Sequence, residues 1–219
     1  MKAMILAAGR GERLRPLTDH TPKPLIEVGG EPLIVHQLRW LARAGIVDVV
    51  VNLHHLGNKI ETRVGSGREW GVRVRYSPEA TLLETGGGIR QALPLLGDEP
   101  FLVLNADIWT DFPFARLIAA PPSAFHLVLT ATPAGRPGDF DLDGEYVIRG
   151  DARPLTYCGI SIVSSAIFAN APVGPFSLRD LMFREASARR LTGERFDGMW
   201  TDIGTPEQLR KLRRLTDYS

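Results

Sequence analysis

The sequence predicts an α/β fold: a Rossmann-like, mixed and mostly parallel sheet flanked by helices, with a small β lobe on one side. Three observations predict it. Apolar runs of strand length alternate with segments of helical spacing, the pattern of a sheet built by right-handed crossovers. The first apolar run, Ala3 to Ala7, opens directly into a loop carrying Gly9, Arg10, Gly11 and Arg13. Beyond about residue 132 the alternation lapses into the turn-rich stretch PAGRPGDFDLDG.

In chain order, AMILAA is the first strand. Leu33, Leu38, Leu41 and Ala42 fall at helical spacing, predicting a helix from about Leu33 to Ala44 that ends at Gly45. Val47–Leu53 reads as a buried strand, Asn58–Val64 as a short helix and Val72–Tyr76 as a third strand. A helix is expected after ETGGG, entered through a glycine-rich loop and running to about Leu96. Phe101–Asp107 is an apolar strand ending in an acid, and His126–Ala131 is another strand. Tyr146–Arg149 and Thr156–Val163 read as a strand pair and Leu178–Arg189 as a helix. The last helix runs from about Pro206 to Leu215, with Thr205 as its cap and Gln208 at capping-box spacing. Ligands of such sheets gather at the carboxyl ends of strands. Residues 8–15, residues 78–88 and Asp107 all follow strand ends, so they are expected to meet in one cleft.

The 219 residues fit a single domain, with a nucleotide-side half over 1–131 and a second half over 132–219. A net charge of +1 argues against bulk nucleic-acid binding, so basic character must be local. One cysteine, Cys158, excludes an intrachain disulfide and suits a reducing cytoplasm. Lying within TYCGISIV, it reads as a small buried hydrophobe rather than a nucleophile. No apolar run reaches membrane-spanning length, so a cytoplasmic protein with no membrane or nucleic-acid partner is expected, as a monomer or small homo-oligomer. His54, His55 and Trp109 read as structural or rim residues.

The loop after the first strand is suited to phosphates. Glycines let backbone N–H groups approach an anion, and arginines offer planar donors matched to phosphate oxygens. It is not a P-loop, because GxxxxGK[ST] is absent, nor a dinucleotide fingerprint, because Leu14 stands where GxGxxG needs glycine. The run from Leu6 to Leu33, LAAGRGERLRPLTDHTPKPLIEVGGEPL, resembles the signature LAxGxGxRLxPLTxxxPKPLxxVxGxPL of sugar-1-phosphate nucleotidylyltransferases. The resemblance recurs at ETGGG (84–88), NAD (105–107) and WTDIGTPE (200–207), and so spans most of the chain.

The resemblance implies attack of a sugar-1-phosphate oxygen on the α-phosphorus of a nucleoside triphosphate, with loss of pyrophosphate and no covalent enzyme intermediate. It implies Mg²⁺ held by Asp107 and Asp202, since this ion takes hard oxygen ligands from one or two carboxylates plus phosphates. Lys23 is expected at the α-phosphate and the sugar phosphate, and Arg13 at the β- and γ-phosphates, with Gly11 and Glu12 adding backbone N–H groups. Arg13, Lys23 and Asp107 are thus the catalytic set. Ala8 and Gly9 should lie against the nucleoside, and Glu79, Thr85 and Gly86 are the candidates for reading the base. Asn105, Gly138, Asp139 and Asp151 are the candidates for the sugar. The EKP-type stretch through which many relatives hold sugar hydroxyls is absent; GDARPLTYCG stands there, which argues for a different sugar.

Within the family, the short chain, ETGGG and the GDF segment look most like N-acetylmuramate-1-phosphate uridylyltransferases of cell-wall recycling, which use UTP. The alternatives are a mannose-1-phosphate guanylyltransferase or another hexose-1-phosphate enzyme, a thymidylyl- or cytidylyltransferase, and, in another class, a non-catalytic sugar-nucleotide sensor.

Overall fold

The computed structural model describes residues 1–119 and 124–216. Strand β1 (Ala3–Leu6) is followed by a short helix α1 (Leu17–His20) and a hairpin of β2 (Glu27–Val28) and β3 (Glu31–Pro32). Then come α2 (Leu33–Arg43), β4 (Asp48–Leu53), α3 (Gly57–Val64), β5 (Arg73–Pro78), α4 (Glu84–Leu96), β6 (Phe101–Asn105) and β7 (Ile108–Thr110). The remaining elements are α5 (Ala115–Ala119), β8 (Phe125–Ala131), β9 (Asp141–Asp143), β10 (Tyr146–Ile148), β11 (Leu155–Val163), α6 (Leu178–Ser187), β12 (Thr192–Arg195), β13 (Trp200–Asp202) and α7 (Pro206–Thr216).

Nine strands form one mixed sheet in the order β5-β4-β1-β6-β11-β8-β12-β10-β9. The β5-β4-β1-β6 half is wholly parallel, and its inner strands β4, β1 and β6 are buried on both faces while β5 forms the exposed edge. Period-two alternation therefore sorts its apolar residues into two layers. Ala3, Ile5, Val49, Val51, Leu102 and Leu104 pack on one face with Leu38 and Leu41 of α2 and Ile60 of α3. Met4, Val50, Phe101 and Val103 pack on the other with Ile89 and Ala92 of α4 and Leu181 of α6. The chain leaves β1 toward β4 and β5, then returns through α4 to β6 on the other side of β1. Strand order thus reverses at β1/β6, and the crevice at the carboxyl ends of these two strands is where ligands of open α/β sheets bind. A third, smaller cluster seats Leu209 and Leu212 of α7 against Leu14, Ile26 and Val28, bringing the end of the chain back onto the loop after β1.

Three expectations are corrected. The glycines of ETGGG do not form a loop entering α4; they are its first turn, pressed against neighbours on several sides. A β-carbon on Gly86 would lie 2.3 Å from the Phe176 ring, one on Gly87 2.4 Å from the Gly174 carbonyl oxygen, and one on Gly88 2.6 Å from Glu79 Oε1. Tyr146–Ile148 and Leu155–Val163 are strands but not partners. β10 pairs with β9 and β12, while β11 pairs with β6 and β8. The missed strand β9 lies within the turn-rich stretch and forms a hairpin with β10 through the two residues Gly144 and Glu145, with glycine at φ 62° as tight hairpin loops favour. Finally, β6 ends at Asn105, and Asp107 lies in the turn to β7.

Candidate active site

A cleft of about 600 Å³ opens at the β1/β6 switch point. Its floor and sides come from residues 6–14, Lys23, Pro24, Asn52, Leu82, Glu84, Thr85, residues 105–107, Ser177 and Gly204. The expected convergence of three strand-end segments therefore occurs.

The glycine–arginine loop is shaped by its own sequence. Gly11 sits at φ 65°, a region that other residues rarely enter. A β-carbon there would also strike Thr18 at 2.8 Å. The buried Thr18 hydroxyl donates to the Gly11 carbonyl at 2.9 Å. The PLT of the signature thus buttresses its glycine. Asn52, at the end of β4, ties the loop to the sheet. Its Oδ1 accepts from the Ala7 N–H at 2.8 Å, and its Nδ2 donates to Glu79 Oε1 at 2.7 Å. Glu79 Oε2 in turn accepts from the Leu83 N–H at 2.9 Å. This buried chain fixes both sides of the nucleotide end of the cleft. His54 and His55 hydrogen-bond the backbone carbonyls of Glu79 and Thr18, as structural residues do, and Trp109 packs edge-on against Trp40 and His36.

Lys23 Nζ donates to Asp107 Oδ2 at 2.5 Å, with the two side chains 14% and 27% exposed. The turn carrying Asp107 is fastened by Gln37 of α2, which is wholly buried and donates to the carbonyls of Asn105 and Ile108 at 3.0 and 3.1 Å. Asp202 arrives through the β7/β13 ladder, where the Ile203 N–H donates to the Asp107 carbonyl at 2.9 Å. Its carboxylate engages Arg136 at 3.2 Å and the Gln208 side chain, not the end of α7. That end is capped by Thr205, whose hydroxyl accepts from the Gln208 N–H at 3.3 Å. Arg13 Nη2 and Asp202 Oδ2 both lie about the α-carbon of Gly204, 2.9 and 3.1 Å from where a side chain would begin. Arg13 makes no hydrogen bond or ion pair with another described residue. A carboxylate in the turn before β7 and one at the end of its partner strand β13, each engaged by a cation, are donors of the hard-oxygen kind that a divalent ion would take.

Of the expected nucleotide residues, Ala8, Gly9, Gly11, Glu12, Arg13, Lys23 and Thr85 line the cleft. Glu79 does not; it is buried behind the loop with both oxygens engaged, and acts as a brace. Gly86 does not either; its N–H donates to the Phe176 carbonyl and its missing side chain makes room for the Phe176 ring. Among the sugar candidates, Asn105 and Asp139 line a second pocket of about 230 Å³ that joins the cleft. Gly138 lines neither pocket, and a β-carbon there would meet the Arg153 carbonyl oxygen at 1.7 Å, so that glycine serves packing. Asp151 is exposed on a bend outside both pockets. Sequence reasoning missed Gln37, Asn52, Arg136, Ser177 and Arg179. Only Asn52 carried a signal, as a polar residue inside the apolar run VVVNL at a strand's carboxyl end. Cys158 is buried, and burial pushes its thiol up to about 12, which removes it as a nucleophile at neutral pH. Among the described residues no helix is long and apolar enough to cross a membrane.

Comparison with known proteins agrees with this geometry. The profile of the nucleotidyl transferase family matches residues 2–137. The chain is 43% identical to the N-acetylmuramate alpha-1-phosphate uridylyltransferase of Neisseria meningitidis serogroup B, over 98% of each chain. It is 32% identical to the mannose-1-phosphate guanyltransferase of Yarrowia lipolytica over 94% of this chain but 61% of that one. A Bacillus anthracis crystal structure, provisionally identified as a glucose-1-phosphate thymidylyltransferase, superposes with a TM-score of 0.89 at 23% identity, covering 99% of this chain and 95% of the other.

Proposed function

From the premise that the chain belongs to the nucleotidyl transferase family, we propose that it transfers uridylate from UTP to N-acetylmuramate α-1-phosphate, giving UDP-N-acetylmuramate and pyrophosphate. The observation that carries the substrate is the end-to-end match to the Neisseria meningitidis enzyme. The guanyltransferase match leaves more than a third of that longer chain uncovered.

A phosphate oxygen of the sugar-1-phosphate attacks the α-phosphorus in line. The bond from that phosphorus to the bridging oxygen breaks, and pyrophosphate departs with the bonding pair. Such a reaction asks the protein for position and for neutralisation of charge on phosphate oxygens. Arg13 and the N–H groups of Gly11 and Glu12 hold the β- and γ-phosphates, and Lys23 spans the α-phosphate and the incoming sugar phosphate. Ala8 and Gly9 flank the nucleoside, with Thr85 at the base. Asn105 and Asp139 face the sugar, making residues 1–131 chiefly the nucleotide half and 132–219 the sugar half. Asp107 and Asp202 would hold a divalent cation, Mg²⁺ by the hardness of their oxygen donors, and it would supply neutralisation of phosphate charge. Lys23 and Arg136 hold the two carboxylates in place before substrate arrives. A cytoplasmic enzyme fits the source of UTP.

The test is pyrophosphate release with Mg²⁺, crossing UTP, GTP, dTTP and CTP with the 1-phosphates of N-acetylmuramate, N-acetylglucosamine, mannose and glucose. The highest kcat/KM is expected for UTP with N-acetylmuramate-1-phosphate. A highest value for GTP with mannose-1-phosphate overturns the substrate and leaves the phosphate and metal roles standing.

A further inference from the structure

The smaller pocket shares Leu6, Thr85, Asn105 and Ser177 with the nucleotide cleft, so a group bound there lies next to the reacting phosphates. Resting on the muramate reading above, we propose that Arg179 selects the sugar by receiving a carboxylate substituent, the acid of the lactyl ether that separates N-acetylmuramate from N-acetylglucosamine.

Apart from Asp139 and Arg179, the lining of this pocket is neutral. Tyr157 is no anion receptor: its hydroxyl already donates to Ser161 Oγ at 3.0 Å. Asp139 is committed to the protein. One carboxylate oxygen accepts from the Tyr157 N–H at 3.2 Å, and the other accepts from Arg179 Nη2. Its side chain is 16% exposed, whereas that of Arg179 is 57% exposed. The arrangement is therefore asymmetric. A largely buried aspartate holds one N–H of the guanidinium of Arg179, a residue that lines the pocket and is otherwise largely exposed. A guanidinium has five N–H donors, and only one is used in this pair. The Phe183 ring, 5.8 Å from Arg179 Cζ, borders the same group. Planar N–H pairs match a carboxylate bidentately, an interaction a neutral sugar hydroxyl does not supply. An exposed ion pair of no function is the competing account, contributing little to stability and nothing to the choice of sugar.

The experiment compares kcat/KM with UTP for N-acetylmuramate-1-phosphate and N-acetylglucosamine-1-phosphate in the wild type, Arg179→Gln and Arg179→Lys. Glutamine removes the charge and the planar fork while keeping a polar side chain at the first turn of α6. The wild type should prefer the muramate, and Arg179→Gln should lose roughly 10- to 100-fold on it, the range for a hydrogen bond to a charged group. The preference between the sugars should collapse, with Arg179→Lys in between. If the wild type prefers the muramate and Arg179→Gln keeps that preference, whether by losing equally on both sugars or on neither, this inference fails alone. If the wild type shows no preference for the muramate, the substrate reading fails and takes the inference with it.

Discussion

The two sides of the cleft are held by different forces. On the nucleotide side the braces are buried polar side chains: Thr18, Gln37, Asn52 and Glu79, all at 5% exposure or less. On the sugar side the corresponding ties are ion pairs with exposed arginines, Arg136 to Asp202 and Arg179 to Asp139, and the same half of the chain carries Arg189 to Asp143 beyond the pockets. A buried donor or acceptor that loses its partner costs about 1–3 kcal/mol, so the first side is locked. An exposed ion pair contributes about 0–1 kcal/mol and can trade partners with a ligand, so the second is adjustable. Chemistry at phosphorus needs the same positions for every substrate, while the choice of sugar differs between enzymes of one fold.

The comparison breaks most visibly at the junction of the two sides. Asp107→Asn should cut turnover by about 100-fold or more with the fold intact, because it removes one carboxylate of the cation pair and the partner of Lys23. Turnover near the wild-type level in Mg²⁺, with an unchanged thermal melt, would refute the assignment. Lys23→Ala should lower kcat more than it raises KM, since its charge is needed most as charge develops in transfer.

A stability contrast sharpens the difference between the sides. Gly88→Ala puts a methyl group 2.6 Å from Glu79 Oε1 and 2.8 Å from Asn52 Nδ2. It should cost about 1–3 kcal/mol by overpacking the buried brace. Arg189→Ala, which breaks the exposed pair with Asp143, should cost about 0–1 kcal/mol. Urea titration of the two variants compares them directly, and equal losses would dissolve the distinction.

The smallest effect is a pH slope from His126 of β8, which lines neither pocket and so separates stability from the site. Burial lowers the pKa of His126 from its ordinary 6.5; Glu194 pulls it back up but does not restore it. Between the lowered folded value and 6.5 the unfolded chain holds a proton that the folded chain refuses. Stability should therefore fall as pH drops through 6.5 toward that lowered value, and level off below it. Melting temperatures between pH 7.5 and 5.5 should show this slope in the wild type and a weaker one in His126→Gln. An equal slope in both would place the titration elsewhere.

By itself, the sequence determined the elements whose signals are local. The apolar runs of β1, β4 and β6, the helical spacing of α2, the loop of residues 8–15, the Thr205 cap and the buried state of Cys158 all follow from residues close together in the chain. So did the meeting of Arg13, Lys23 and Asp107, because each follows or abuts a strand end that one topology gathers. Tertiary structure alone decided which polar residues support the site and which glycines serve packing. Glu79 and Gly86 lie off the lining of the cleft and Gly138 off both pockets because of neighbours distant in sequence, Asn52, Phe176 and Arg153. Thr85 caps the Leu178 N–H from 93 residues away, and Gln37 reaches Ile108 across 71. Such contacts are set by strand order and by how helices press on the sheet. A hydrogen bond between distant residues leaves no periodicity in the chain, so it becomes legible only once the sheet is assembled.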